Sequence, residues 1–326
     1  MLKKLIVLLV MALAAVNCEA QYTTKFNQYL FNQLYINPAY AGYKNDLSVS
    51  SIYRSQWTGI DGAPKTIALA ADGMFDNKNV GIGLTLQSDR VGAQNFTAVY
   101  GNYAYKIKLS DFNDSKISFG LGFGLIQSGI NGSKLVPGQE NDNVVPVGDQ
   151  SNILPDARFG FLYSNEHLFF GASVDNLLAN FFYKANGNFL STFIPKPNEY
   201  LTAGALLVIN EDMKFKPSIL LRDGPENPTN IDFNTAVILK DRIGFGFTYR
   251  TDVNLYNKAI THRDFQRSNA MVAYTSFSIN GNISIGYAFD YSLSKIDNAS
   301  YGSHQLSIGF HLQRASNLND SNLSTF

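Results

Sequence analysis

Ile117-Ser118-Phe119-Gly120-Leu121-Gly122-Phe123-Gly124-Leu125 decides the fold. Every odd position is large and apolar. Every even position is Ser or Gly. Side chains on a strand point to opposite faces in turn, so this segment has one apolar face and one thin face. Wound as a helix, the same residues would spread around the axis and leave no continuous stripe.

The period of two recurs along the chain. It runs through Val80–Gln87, Ile243–Arg250, Ile283–Ser292 and Leu306–Gln313. About fourteen such segments are expected, near 47–57, 65–75, 79–91, 93–109, 114–129, 155–164, 166–177, 198–210, 212–223, 228–240, 241–251, 267–279, 281–292 and 301–313. Most run to about 10–13 residues, against the usual ~5–6 of globular strands. About nine to eleven tilted residues cross a hydrocarbon core.

The connections sort by length. Longer ones fall at 58–64, 130–154, 178–197, 224–227, 252–266 and 293–300. Tight turns fall between them, at 76–78, 110–113, 165, 211, 240–241 and 280, and only the short connection around Gly92 breaks the series. A meander barrel whose ends lie in the periplasm behaves this way, with short periplasmic turns and longer external loops. A soluble β-sandwich is the alternative, and it has no reason to sort loops by parity. The expectation is an all-β chain: a transmembrane antiparallel outer-membrane β-barrel of about fourteen strands with an N-terminal non-strand segment. Closure would pair every backbone N–H and C=O, as a bilayer demands. The apolar face would meet lipid, and the Gly, Ser, Thr and charged face the lumen.

Composition agrees. The 326 residues hold 26 Lys+Arg and 26 Asp+Glu, only 16% charged against the ~25% usual for soluble domains. Aromatics reach 13%, yet mean hydropathy is only −0.09, an average over two opposed faces. Charge is too sparse and apolar content too high for disorder. With zero net charge and no basic stretch in the sequence, nucleic acid is not an expected partner. One Cys cannot make an intrachain disulfide.

Residues 1–20 read as a signal peptide: Lys3 and Lys4, an apolar run Leu5–Val16, then Cys18-Glu19-Ala20. Cys18 as a lipid anchor is the second reading, disfavoured by Asn17 before it. Residues 21–46 do not alternate, and Asn37-Pro38-Ala39-Tyr40-Ala41-Gly42 breaks any regular element. This stretch is expected to be a periplasmic or plug segment. The barrel would occupy 47–313, and a polar tail 314–326.

Catalytic and cofactor chemistry is not expected. Gly120-Leu121-Gly122-Phe123-Gly124 lies inside an alternating strand, not at a strand-to-helix turn, so it does not suit a dinucleotide phosphate. Its glycines are expected to keep the lumen wall thin where another segment packs. His167, His262, His304 and His311 show no metal spacing, and neither a G-x-S-x-G elbow nor an H-E-x-x-H helix occurs. Glu140-Asn141-Asp142-Asn143 has oxygens suited to Ca²⁺ but lacks EF-hand spacing, so a solvated loop is expected. Arg54, Arg158, Arg250 and Asp290 fall on the lumen parity and are expected to pair inside the barrel.

Two blocks of sequence resemble a known family. Gln28-Tyr29-Leu30-Phe31-Asn32-Gln33-Leu34-Tyr35-Ile36-Asn37-Pro38-Ala39-Tyr40-Ala41-Gly42 resembles the opening signature of the PorP/SprF proteins. Tyr53-Arg54-Ser55-Gln56-Trp57-Thr58-Gly59-Ile60-Asp61-Gly62-Ala63-Pro64-Lys65-Thr66 resembles the second. The likeness implies an outer-membrane barrel of the type IX secretion system. It implies as partners a cognate secreted adhesin with a type B C-terminal domain and other secretion components. It also implies a link to gliding motility in many members. The polar tail departs from the family pattern. Candidate partner or plug residues are Asn37, Pro38, Tyr40, Gly42, Arg54, Trp57, Arg158, Arg250 and Asp290. The rival function is a passive porin or small-solute transporter.

Overall fold

The computed structural model describes residues 31–44, 46–74, 79–110, 112–135, 148–185, 195–225, 227–253, 255, 269–294 and 300–312. The proposed signal peptide, the acidic loop at 140–143 and the polar tail lie outside them. Among the described residues no helix is long and apolar enough to cross a membrane. The crossing elements are strands.

They are β1 (Leu47–Ser55), β2 (Lys65–Met74), β3 (Val80–Val91), β4 (Gln94–Ser110), β5 (Ser115–Asn131), β6 (Asp149–Ser164), β7 (Leu168–Asp175), β8 (Asn198–Ala205), β9 (Leu207–Asn210), β10 (Met213–Gly224), β11 (Asn227–Leu239), β12 (Ile243–Val253), β13 (Ala270–Ile279), β14 (Ile283–Ser292) and β15 (Ser303–Leu312). Neighbours along the chain pair antiparallel, except that β8 and β9 both pair with β10 and not with each other; β10 also pairs with β11, and β1 with β15, so the sheet closes. The result is a barrel of fourteen strands plus one short extra piece. That piece arises because the eighth crossing breaks at Leu206. The pairs Ser218↔Gly204 and Phe215↔Leu207 bracket the break, and Pro217, with no N–H to give the ladder, lies between them.

The period of two becomes inside and outside. On β5, Phe119, Leu121, Phe123 and Leu125 are exposed, while Ser118 and Ile126 are buried. With lipid as the solvent, these exposed side chains are the ones in an apolar medium. Phe245, on β12, is 53% exposed on the same outer surface. Phe245→Arg should cost about 2–4 kcal/mol in refolding titrations, the penalty for a cation at mid-bilayer. Tolerance equal to that of a lumen-side substitution would reject the facing.

Two elements depart from the sequence reading. β6 begins at Asp149 rather than at Pro155. The reading took Pro155 as a strand start, but β7 pairs with β6 only from Phe159 inward, so Pro155 sits on a free edge where its missing N–H costs nothing. The connection after β7 holds a helical turn, α1 (Ala179–Ala185), too short to show a helical stripe. Its Ala179, Phe182 and Tyr183 pack on Ala98, Tyr100, Ile126 and Leu154. Asp156 accepts from the N–H groups of Leu178 and Ala179, both at 3.0 Å, satisfying orphan donors at the helix start.

Candidate functional site

The lumen has two levels. The lower one is built by residues 31–44. Asn32 and Asn37 each start a short 3-10 turn, Gln33–Tyr35 and Pro38–Tyr40, by accepting from the backbone N–H two residues on. Asn is a preferred N-cap, and Pro38 follows Asn37 at the first helical position, where its missing N–H is harmless. Leu34 through Ala41 are all buried, and Asn37 is 1% exposed.

The segment meets the wall from many sides. Asn37 donates to the Phe161 carbonyl of β6 at 3.0 Å. Ser118 of β5 donates to the Ala39 carbonyl, and Ser173 of β7 to the Ile36 carbonyl. The Gly42 N–H donates to Asp72 of β2, and Lys106 of β4 donates to the Gly42 carbonyl. Asn32 donates to Ser50 of β1, Phe31 packs edge-on against Tyr274 of β13, and Ile36 packs with Leu220 of β10. These contacts fall mainly in the inner halves of the strands. The wall is carved to receive the segment: a Cβ at Gly120 would overlap the backbone of Pro38 and Ala39, and one at Gly81 would overlap the Ala41 carbonyl. Burial pushes the phenols of Tyr35 and Tyr40 up, so both enter the packing as neutral groups.

Arg158 joins the segment to the wall. Its guanidinium donates to the carbonyls of Leu34 and Tyr35, each at 3.2 Å, to Thr85 at 3.1 Å and to Asn102 at 2.9 Å. It also lies over the Tyr100 ring, 4.6 Å from the centroid. Arg158→Met keeps the stem and removes the fork. It should destabilise the barrel by about 3 kcal/mol, because the buried acceptors lose charge-assisted donors. An unchanged denaturant midpoint would refute this role.

The upper level is ionic. Arg54 of β1 donates to Asp290 of β14 at 2.9 Å, and Arg250 of β12 approaches the same carboxylate at 3.6 Å. Arg250 grips Asp232 of β11 in two-pronged fashion, at 2.8 and 3.0 Å. Arg222 of β10 reaches Asp232 at 2.9 Å. Three of the four lumen-parity residues singled out in the sequence therefore meet in one arc; Arg158 serves the other level. Asp232 and Arg222 were missed, although the alternation Ile231-Asp232-Phe233-Asn234 puts Asp232 on the lumen parity. The lumen is also more aromatic than expected: Tyr100 and Phe169 face inward.

Trp57 lies at the outer rim, with φ of 48°. Its N–H donates to Ser303, and Thr58 exchanges 2.8 Å backbone bonds with Gly302 and Tyr301. The Gly92 N–H donates to Gly62. The connection after β1 is thus laced to both neighbouring connections. Among the described residues no group of three His, Cys, Asp or Glu side chains is arranged to hold a metal ion.

Comparisons with known proteins match this architecture. The family described as type IX secretion system membrane protein PorP/SprF matches residues 18–310. No curated protein sequence matches the chain. Among solved structures, the CymD monoaromatic hydrocarbon channel is similar with a TM-score of 0.51 at 11% identity, over 90% of this chain and 94% of that one. Omp33 of Acinetobacter baumannii is similar with a TM-score of 0.45 at 8% identity, over 82% and 99%. The KdgM porin follows with 0.38 at 11% identity, over 82% and 99%. The CymD likeness bears on the fold alone.

Proposed function

The chain belongs to the PorP/SprF family of type IX secretion system membrane proteins, an outer-membrane β-barrel, and from that premise we propose that it works by binding rather than by conduction or catalysis. It docks a cognate secreted surface protein, an adhesin with a type B C-terminal domain, and supports its export and retention at the cell surface. In gliding cells this retention serves motility. The observation that carries the reading is the packing of residues 31–44 across the lumen. A passive porin keeps an aqueous path, and side chains on facing walls joined through a buried segment oppose one.

The segment acts as a plug, with Asn37, Pro38, Tyr40 and Gly42 shaping it and Arg158 holding it. The longer outer connections, at 132–148, 176–197 and 254–269, grip the exported domain. The braced rim at Trp57 gives them a rigid base. The test is affinity purification of the tagged barrel from outer membranes. A surface adhesin or secretion component should copurify; recovery of the barrel alone would sink the proposal.

A further inference from the structure

On the outside of the barrel, the lipid-facing parity ends in a polar row at the outer rim. Cross-strand pairing sets its members side by side: His304↔Ser55, Ser55↔Lys65, Lys65↔Arg90 and Arg90↔Asn95, across β15, β1, β2, β3 and β4. Lys65, Arg90 and Asn95 are exposed. One step down the same face stand Leu306, Tyr53 and Ile67, exposed by 52%, 44% and 51%, followed on β3 and β4 by Ser88 and Thr97, whose hydroxyls bond each other at 3.3 Å. The next step down holds Ile308 and Leu69. On β15, β1 and β2 the row lies just above the apolar band; on β3 and β4 the band begins one step lower, at Leu86 and Val99.

The charge at this level is uneven. Lys65 and Arg90 are direct cross-strand partners, so their Cα atoms are about 4.5–5.5 Å apart and both head groups can reach one anion. Among the described residues neither forms an ion pair. Their inward neighbours Thr66 and Asp89 bond each other on the lumen side and point away from them. Glu199 and Asp223, near the outer ends of β8 and β10, are cross-strand partners far around the ring, and the exposed acid nearest Lys65 along the chain is Asp61, in the connection before β2. His304 extends the row, half-buried against the rings of Tyr287 and Phe289, with its Nδ1 2.7 Å from the Tyr287 hydroxyl.

We infer that Lys65 and Arg90, flanked by Asn95 and His304, bind the phosphate of an outer-leaflet glycolipid headgroup. A guanidinium fork matches phosphate oxygens in pairs, and Lys65 adds a second charge beside it. Asn95 and His304 suit the sugar hydroxyls, while Ile67, Leu69 and Tyr53 lie against the acyl chains below. The site rests on the barrel's orientation in the outer membrane and is independent of the plug and of any cargo.

The test uses the full-length barrel, stripped of lipid in zwitterionic detergent and titrated by native mass spectrometry. The probes are phosphorylated lipid A and the same glycolipid with its phosphate removed. The parent should retain the phosphorylated lipid and release the other. The Lys65→Gln/Arg90→Gln double variant should bind about thirtyfold more weakly, as expected for losing two membrane-surface cations. Lys65→Arg should bind like the parent, and so should Glu199→Gln/Asp223→Asn on the far wall. Heat-modifiable gel migration checks that each variant is folded. Equal binding by the folded double variant, or equal retention of the dephosphorylated lipid, would overturn the site. Displacement of the lipid by millimolar inorganic phosphate would overturn the glycolipid as its source.

Discussion

Gly120→Leu should turn a closed barrel into a conducting one. The position faces the lumen on β5, and any Cβ there overlaps the backbone of Pro38 and Ala39. A side chain can usually swing aside, but a backbone held by Asn37, Ser118 and the Asp72–Gly42 bond cannot shift locally. Overpacking costs typically about 1–3 kcal/mol when neighbours relax. Here relief requires the segment to leave its groove. The ladder of β5 stays intact, because glycine and leucine both serve the β4 and β6 pairings. The variant should refold, resist denaturation somewhat less, and show stable currents in planar bilayers. Deleting residues 22–42 should produce the same currents. Silence from both, with folded barrels, would mean that the segment is not what closes the lumen.

Asp232→Ala should be the most damaging single change in the outer half of the lumen. Asp232 is 0% exposed and takes hydrogen bonds from both Arg250 and Arg222. Its removal leaves two guanidinium groups facing each other across a low-dielectric space. Breaking a buried pair from one side costs about 3–5 kcal/mol, far more than the pair contributes in net stability. Arg250 still reaches Asp290, so Arg54 and Arg250 then share that one carboxylate, while Arg222 keeps its bond to Asn230. A second substitution, Arg222→Met, should recover part of the loss by removing one of the two cations that Asp232 had held. Urea titrations of the single and double variants give the comparison. Additive losses would show that the arc does not act as one unit.

Much of the barrel was legible because its physics is local. Alternation at 117–125 or 283–292 needs only the two-residue repeat of a strand and two solvents, lipid and lumen. The turn residues at Lys240, Asp241 and Asn280, all with positive φ, stand where the alternation stops. Where the reading slipped, the cause was tertiary. Pro155 ends a strand in most settings, yet here the neighbouring strand has already ended. The helical turn at Ala179–Ala185 is stabilised by Asp156, twenty-three residues before Ala179, and by a hydrophobic patch on three strands. No window of sequence contains that.

The candidate site divides in the same way. Parity alone placed Arg54, Arg158, Arg250 and Asp290 inside, because facing is a property of each strand. It could not tell that Arg54, Arg250 and Asp290 share one arc while Arg158 clamps residues 34 and 35. That depends on register around a closed ring, where residues 236 apart in sequence meet at 2.9 Å. The glycines tell the same story. The sequence by itself determined that strands with a thin face would line a lumen, since period and side-chain size are written in the chain. Only the tertiary structure decided what fills that lumen, because the fit of Ala39 against Gly120 exists only after closure has brought ten or more strands around one short segment.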